Sequence, residues 1–260
     1  TVRALNRAEK LLAIADQEGV EIELAELDVA DDASVERGFA DIFERAGRVD
    51  HLVNNAGVGG NGVVEECSSE QFLEVMNIDL VGAIRCSRAV LPQMRERGSG
   101  SIVNVSSVAG RFGAMAQAPY VASKWALEGV SEEMALELAA FGIRVAIVEP
   151  GVTKSSIFAK NIDAPNNTGV YDAHYRRMFQ MYAAGIQNAT DAVEVAEVIR
   201  HAIETDEPEL RYQVSWGAAE MVAGRDAMSA ADWFALGATA DDAEYARRFS
   251  ELMGVDITGV

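Results

Sequence analysis

Cysteine, histidine and positive charge are all scarce in this 260-residue chain, which holds two cysteines, three histidines and 22 basic residues against 41 acidic ones. Cys67 and Cys86 stand in no CxxC or zinc-ligand spacing. Neither a disulfide framework nor a metal site is therefore expected, and two free thiols suit a reducing, cytoplasmic setting. The histidines have no partner pattern: His174 and His201 are expected as solvated surface residues, and His51, just before an apolar run, as a structural one. No apolar run approaches the ~18 residues needed to cross a bilayer, and no signal-peptide pattern opens the chain, so no membrane span is expected. The formal charge of −19 repels a phosphate backbone and argues against a nucleic-acid partner. A well-solvated acidic surface accounts for it.

What the chain has is enough length and a 49% hydrophobic content for one large α/β domain over residues 1–260. Short apolar runs alternate with longer helical patterns, as in βαβ units on a parallel sheet. Thr1–Leu5 reads as a strand already under way, followed by a helix over Ala8–Glu18, a strand over Ile22–Val29 and a helix over Asp31–Ala46. His51–Asn54 reads as a buried strand, and Ser69–Arg97 as a long helix broken near Met76, with Pro92 late in it. A strand at Ser101–Val105, a helix from Pro119 to Phe141 and a strand at Ile143–Glu149 follow. Beyond an irregular stretch, Asp163–Gly169, the C-terminal third reads as helices at Ala192–Glu204, Ala230–Leu236 and Asp241–Met253 with an edge strand at Leu210–Val214. The architecture expected is a Rossmann-like doubly wound parallel sheet with helices on both faces and a C-terminal helical extension; ligands belong at the C-terminal strand ends.

The chemical candidates fall at those ends. Tyr120 and Lys124, four residues apart on a predicted helix, share one face a turn apart. A free phenol titrates near ~10, and a neighbouring ammonium favours its phenolate, which fits it to exchange protons at neutral pH. Ser107 stands thirteen residues before Tyr120, just after a strand, where its hydroxyl can bond the oxygen that exchanges a proton with Tyr120. The neighbouring Ser106 reads as a loop or N-cap serine.

With these residues the chain resembles the short-chain dehydrogenase/reductase family, whose core pattern is a serine, twelve residues, then Tyr-x-x-x-Lys. Here that is Ser107 and Tyr120-Val121-Ala122-Ser123-Lys124. The family's Asn-Asn-Ala-Gly stands at Asn54–Gly57, its adenine-contacting Asp-Val at Asp28-Val29, and its Pro-Gly loop at Pro150-Gly151-Val152-Thr153. The resemblance implies that Tyr120 is general acid in reduction and base in oxidation, and that Ser107 positions the substrate oxygen. Lys124 would hold the nicotinamide ribose and favour the phenolate. Asn55, Ala56 and Gly57 would line the adenosine side, and Val152 and Thr153 would contact the nicotinamide carboxamide. It further implies a small-molecule alcohol or ketone substrate and a homodimer or homotetramer paired through the two long helices, with Trp125 and Phe141 as possible contacts.

The chain departs from the family pattern twice. The Gly-rich turn after the first strand, which seats the pyrophosphate at a helix N-terminus, is not in the sequence, and about thirty residues are expected upstream. Asp79 stands where the family often has a relay asparagine, three residues before Gly82; it can still accept hydrogen bonds from Lys124, now with a charge, or be an ordinary helix carboxylate. An acid at the end of the second strand would select NAD(H), but Arg3 stands there, which favours NADP(H) and leaves NAD(H) possible. Arg7 follows it.

Ile157, Phe158, Tyr171, Tyr175, Met178, Phe179, Met181 and Tyr182 form an apolar set that either covers a lipophilic substrate or is ordinary packing. The substrate side is therefore sought in residues 155–185 and 215–260. Arg211-Tyr212, Arg88-Ala89-Val90-Leu91-Pro92 and the C-terminal extension resemble the subgroup holding hydroxysteroid and retinol dehydrogenases, which implies a bulky hydrophobic substrate. Two other readings stay open: a cofactor-free lyase on the same fold, whose members carry arginine where Lys124 stands, and a non-catalytic nucleotide-binding protein.

Overall fold

Four short segments pair into one parallel sheet: β1 (His51–Asn54), β2 (Gly100–Val105), β3 (Ile143–Pro150) and β4 (Arg211–Val214), side by side in chain order. Leu52 stands opposite Ile102, Ile102 opposite Val145, and Val148 opposite Tyr212. The structure is a computed structural model that describes residues 1–155, 157 and 164–259, with the side chain of Arg7 left out. Phe158 and Asp163, both singled out in the sequence, lie outside the described residues.

Parallel neighbours need long crossovers. From β1 to β2 the chain runs through α3 (Ser69–Met76), a π-helical turn at Asn77–Val81 and α4 (Gly82–Arg97). From β2 to β3 it runs through α5 (Ala118–Ala139), and from β3 to β4 through α6 (Asp172–Asn188) and α7 (Ala192–Glu204). Before β1 lie α1 (Glu9–Glu18) and α2 (Asp32–Ala46); after β4 come α8 (Ala218–Ala227), α9 (Ala230–Gly237) and α10 (Asp242–Met253).

Side-chain alternation distributes the core over both faces. Ile102, Ile143 and Val145 pack with Val90 and Met94 of α4 and Leu138 of α5. Val103, Ala146 and Val148 face the other way, onto Ala202 of α7. Because both faces are covered, β2 and β3 are near-continuous apolar runs in the sequence. The expected break near Met76 is the π-helical turn, which swings Asp79 inward until it is 1% exposed; π turns recur at functional sites.

Several expectations are corrected. Thr1–Leu5 and Ile22–Val29 form no ladder but a single bridge, Val2 to Glu26, with Val2 N–H donating to Ala25 O and Leu27 N–H to Val2 O at 2.9 Å each. Leu5–Arg7 turns at once into a 3₁₀ turn, so the two segments share too short a stretch to extend the pairing. The outer edge of β1 likewise pairs with no strand among the described residues, and Val53 is 38% exposed there.

α6 and α8 went unassigned in the sequence. Tyr171, at the N-cap of α6, and Tyr175, Met178 and Tyr182 within it recur at spacings of four, three and four and gather on one cluster, so these four members of the apolar set pack together. The same helix leaves His174 half-buried instead of fully solvated. Its ring meets Tyr171 edge-on, with centroids 5.3 Å apart, and its buried Nδ1 has no hydrogen-bond partner among the described residues. Burial, then the nearby Arg177, lowers the His174 pKa. His201 is exposed beside Tyr212, and His51 shares a 2.7 Å hydrogen bond with the Ser101 hydroxyl. No helix among the described residues is long and apolar enough to cross a membrane.

Candidate active site

The C-terminal strand ends converge on a cavity of about 910 Å³. β1 delivers Asn55 and Gly57 to it, β2 delivers Ser106 and Ser107, and β3 delivers Pro150, Gly151, Val152 and Thr153. Tyr120 and Lys124 enter from the first turns of α5. Ser107 is buried and caps the 3₁₀ turn Val108–Gly110, its hydroxyl accepting from the Ala109 N–H at 3.2 Å. The capping role expected for Ser106 thus falls to Ser107, while the Ser106 hydroxyl is buried near Glu128.

Lys124 is 5% exposed, and three contacts fix its ammonium. It donates to the Val105 carbonyl at 3.1 Å, lies 3.6 Å from Asp79 Oδ2, and stands 5.6 Å from the centre of the Tyr120 ring. That last distance is within cation–π range. Asp79 accepts from the Val58 N–H at 2.8 Å and from the Ser123 hydroxyl at 3.3 Å. It therefore links the loop after β1 to α5. Burial pushes the Asp79 carboxyl above the ordinary carboxylate range, and the Lys124 ammonium, the Val58 N–H and the Ser123 hydroxyl oppose that shift. The pair suits the position by geometry; a desolvated ion pair contributes little net stability by itself.

The Pro-Gly loop needs its glycine for space. A Cβ at Gly151 would run into the Trp216 carbonyl oxygen, which accepts from the Val152 N–H at 3.1 Å. The Thr153 hydroxyl shares a 2.8 Å hydrogen bond with that of Ser215. Opposite these strand ends, the C-terminal helices form a second wall that includes Arg177, Met178 and Tyr182 of α6, Trp233 of α9, and Tyr245 and Phe249 of α10. The Tyr182 hydroxyl donates to Asn61 Oδ1 at 2.7 Å. Burial, and after it Tyr120 nearby, raises the Tyr182 pKa.

The cavity thus brings together Ser107, Tyr120, Lys124, Asn55, Gly57 and Pro150–Thr153, with Asp79 directly behind Lys124. Arg3, Asp28, Val29 and Ala56 are not among its lining residues. Arg3 and Ala56 are exposed. Asp28 shapes its own turn, accepting from the Ala30 N–H at 3.0 Å while its N–H donates to Ser34 Oγ at 2.9 Å. Val29 packs where a side chain on Gly82 would be. Gly113, Gln117, Trp233 and Tyr245 line the cavity although no motif marks them. Helical spacing of apolar residues was the only signal for the last two.

The residues present suit the nicotinamide–ribose end of a dinucleotide. A Cβ at Gly57 would stand 3.6 Å from the Lys124 ammonium and 3.5 Å from Asp79 Oδ1, so glycine keeps clear the space in front of a fixed cation. A ribose diol can accept from that ammonium, and the backbone at Val152 and Thr153 is at the same cavity for a carboxamide.

Residues 1–166 match the family described as short chain dehydrogenase. An uncharacterized oxidoreductase, YusZ of Bacillus subtilis, is 34% identical over 224 residues, covering 84% of this chain and 80% of the relative. Mouse 17-beta-hydroxysteroid dehydrogenase type 1 is 36% identical over 220 residues, covering 82% of this chain and 63% of the mouse protein. A short-chain dehydrogenase structure from Streptomyces avermitilis superposes with a TM-score of 0.77 at 35% identity, covering 86% of this chain and 80% of that one. The chain belongs to the short chain dehydrogenase family and is an oxidoreductase.

Proposed function

We propose that this short chain dehydrogenase moves a hydride between NADP(H), with NAD(H) as the second choice, and a hydrophobic secondary alcohol or ketone, using Tyr120 as general acid and base. The observation that carries the reading is the convergence of Ser107, Tyr120 and Lys124 on one cavity, with the Lys124 ammonium fixed 5.6 Å from the Tyr120 ring. The nicotinamide, when bound, supplies or accepts the hydride.

The chain's own residues do the rest. Ser107 donates a hydrogen bond to the substrate oxygen and holds it before Tyr120. In reduction the Tyr120 hydroxyl gives its proton to that oxygen; in oxidation the phenolate takes it back. Lys124 stabilises the negative phenolate and donates to the ribose hydroxyls. Asp79 and the Val105 carbonyl keep the ammonium in place. Asn55 and Ala56, with Asp28 and Val29, would take the adenosine side, Gly57 would stand where that side meets the ribose before Lys124, and Pro150–Thr153 would take the carboxamide. Arg3, exposed just after the Val2 bridge, supports the NADP(H) preference because a guanidinium suits a 2′-phosphate.

Residues 155–185 and 215–260 form the substrate side. Its apolar lining, with the likeness to mouse 17-beta-hydroxysteroid dehydrogenase type 1, supports a bulky alcohol or ketone. Trp125 and Phe141, 51% and 43% exposed, are available for pairing in a dimer or tetramer. The Cys86 thiol, pushed up to about 11 by burial, is suited to staying reduced in a cytoplasmic setting.

Fluorescence titration of the full-length protein, its mass verified, with NADPH and NADH tests the reading. Tight binding, stronger for NADPH, is expected. No binding by a chain that carries the Gly-rich turn overturns the proposal.

A further inference from the structure

Among the residues of the helical wall, Arg177 is a buried cation at an otherwise apolar surface. It is 3% exposed and lines the cavity. Part of its guanidinium is used by the fold. Nε donates to Asp242 Oδ1 at 2.8 Å, and Nη2 donates to the Thr239 and Ala240 carbonyls at 2.8 and 3.1 Å. Its face lies 4.3 Å from the centre of the Tyr245 ring. These contacts fasten α6 to the turn before α10. They leave Nη1, which makes no hydrogen bond among the described residues.

Charge is left over as well. Asp242 also accepts from Arg176 Nε at 2.9 Å, so one carboxylate serves two guanidiniums. The Tyr245 hydroxyl belongs to the same patch: the residue is 4% exposed, lines the cavity and makes no hydrogen bond among the described residues. Arg177 and Tyr245 thus present donors to the cavity from the helical wall, whereas Ser107 and Tyr120 present theirs from β2 and α5. A carboxylate is the acceptor that meets both the spare hydrogen-bonding capacity and the charge of a guanidinium lining a cavity.

We infer that Arg177 and Tyr245 form a carboxylate subsite, so that the substrate is an apolar alcohol or ketone carrying a carboxylate remote from its reacting oxygen. This rests on the function proposed above and deepens it. The cavity of about 910 Å³ accommodates an apolar body between the two polar groups. The far carboxylate would be bound equally in ground and transition states, so its loss acts on KM and leaves kcat.

The test uses the full-length holoenzyme and two probes without a ketone, decanoate and 1-decanol, in calorimetric titrations. Decanoate is expected to bind about tenfold tighter, as a charge-assisted hydrogen bond warrants. That preference disappears in Arg177→Gln and shrinks in Tyr245→Phe. The second variant keeps the ring under Arg177, so it remains informative if Arg177→Gln fails to fold. Steady-state turnover of 9-oxodecanoate against its methyl ester then gives the lower KM to the acid, with similar kcat. Equal affinity for decanoate and decanol, or a preference that survives both variants, overturns the subsite. Selective decanoate binding without turnover of any ketone keeps the subsite and overturns the oxidoreductase mechanism instead.

Discussion

One wall of the cavity is built from strand ends and the first turns of α5; the other is built from helices fastened to one another and to the loop after β1. Lys124 donates to the Val105 carbonyl, Ser107 accepts from its own 3₁₀ turn, and Gly151 is pressed against the Trp216 carbonyl. The helical wall is joined by Tyr182 to Asn61, Arg177 to Asp242 and the stack of Arg177 on Tyr245, with Met178 and Phe249 between. Chemistry tolerates little displacement, so it sits where parallel strands set the geometry. Recognition can change by repacking, so it sits on helices that present long side chains to the cavity. The same contrast predicts that mutations in the first wall change rate, and mutations in the second change stability and KM.

The largest expected effect is at Tyr120. Tyr120→Phe should lower kcat/KM by about 10²- to 10⁴-fold, the usual contribution of a positioned acid–base group, while cofactor affinity and melting temperature stay close to wild type. A fall in cofactor affinity as large as the fall in rate would show that the residue holds the fold or the nucleotide instead. Next comes Met178, 1% exposed on the helical wall. Met178→Ala should cost about 2–5 kcal/mol in urea unfolding, as buried methionine truncations do. A loss below about 1 kcal/mol would mean that this wall is too loosely packed to define a substrate shape.

Asp79 links the comparison to pH. Its carboxyl is raised by burial, so the folded protein keeps that proton longer than the unfolded chain does. Wild type therefore loses a share of stability as pH climbs from the ordinary carboxylate value, about 3.9, through the raised native value, and Asp79→Asn does not. Across that window the variant should gain on wild type as pH increases, in paired denaturant titrations. If the variant instead falls behind as pH rises, the ionised carboxylate is the form the fold favours. The smallest effect is expected at Tyr182→Phe, which removes the hydrogen bond to Asn61 and should cost about 1 kcal/mol, read as a modest drop in melting temperature with kcat retained.

What the sequence made legible divides along the same line. Ser107, Tyr120 and Lys124 were readable because short spacings on one strand end and one helix fix their relation. β1 has the bounds read from its apolar run, and Asp79 was found by counting back from Gly82. That Asp79 sits in a π-helical turn was not readable, since one inserted residue hardly disturbs an apolar periodicity. Arg177 was missed because its place depends on Asp242, 65 residues on, and no local pattern encodes that contact. Thr1–Leu5 and Ile22–Val29 have strand-like composition, yet a strand needs a neighbour along its length, and only Val2 and Glu26 pair. Asp28, Val29 and Arg3 were read from motif order, which places residues along a chain and not around a cavity.

The central claim is that Tyr120 exchanges the proton while a bound nicotinamide carries the hydride. Its most direct test follows NADPH or NADH absorbance in the full-length protein with a panel of bulky ketones, in wild type and in Tyr120→Phe. The account predicts ketone-dependent oxidation of the cofactor by wild type, reduced at least about a hundredfold in the variant, with cofactor binding equal in both. Equal ketone-dependent rates in the two proteins would contradict it.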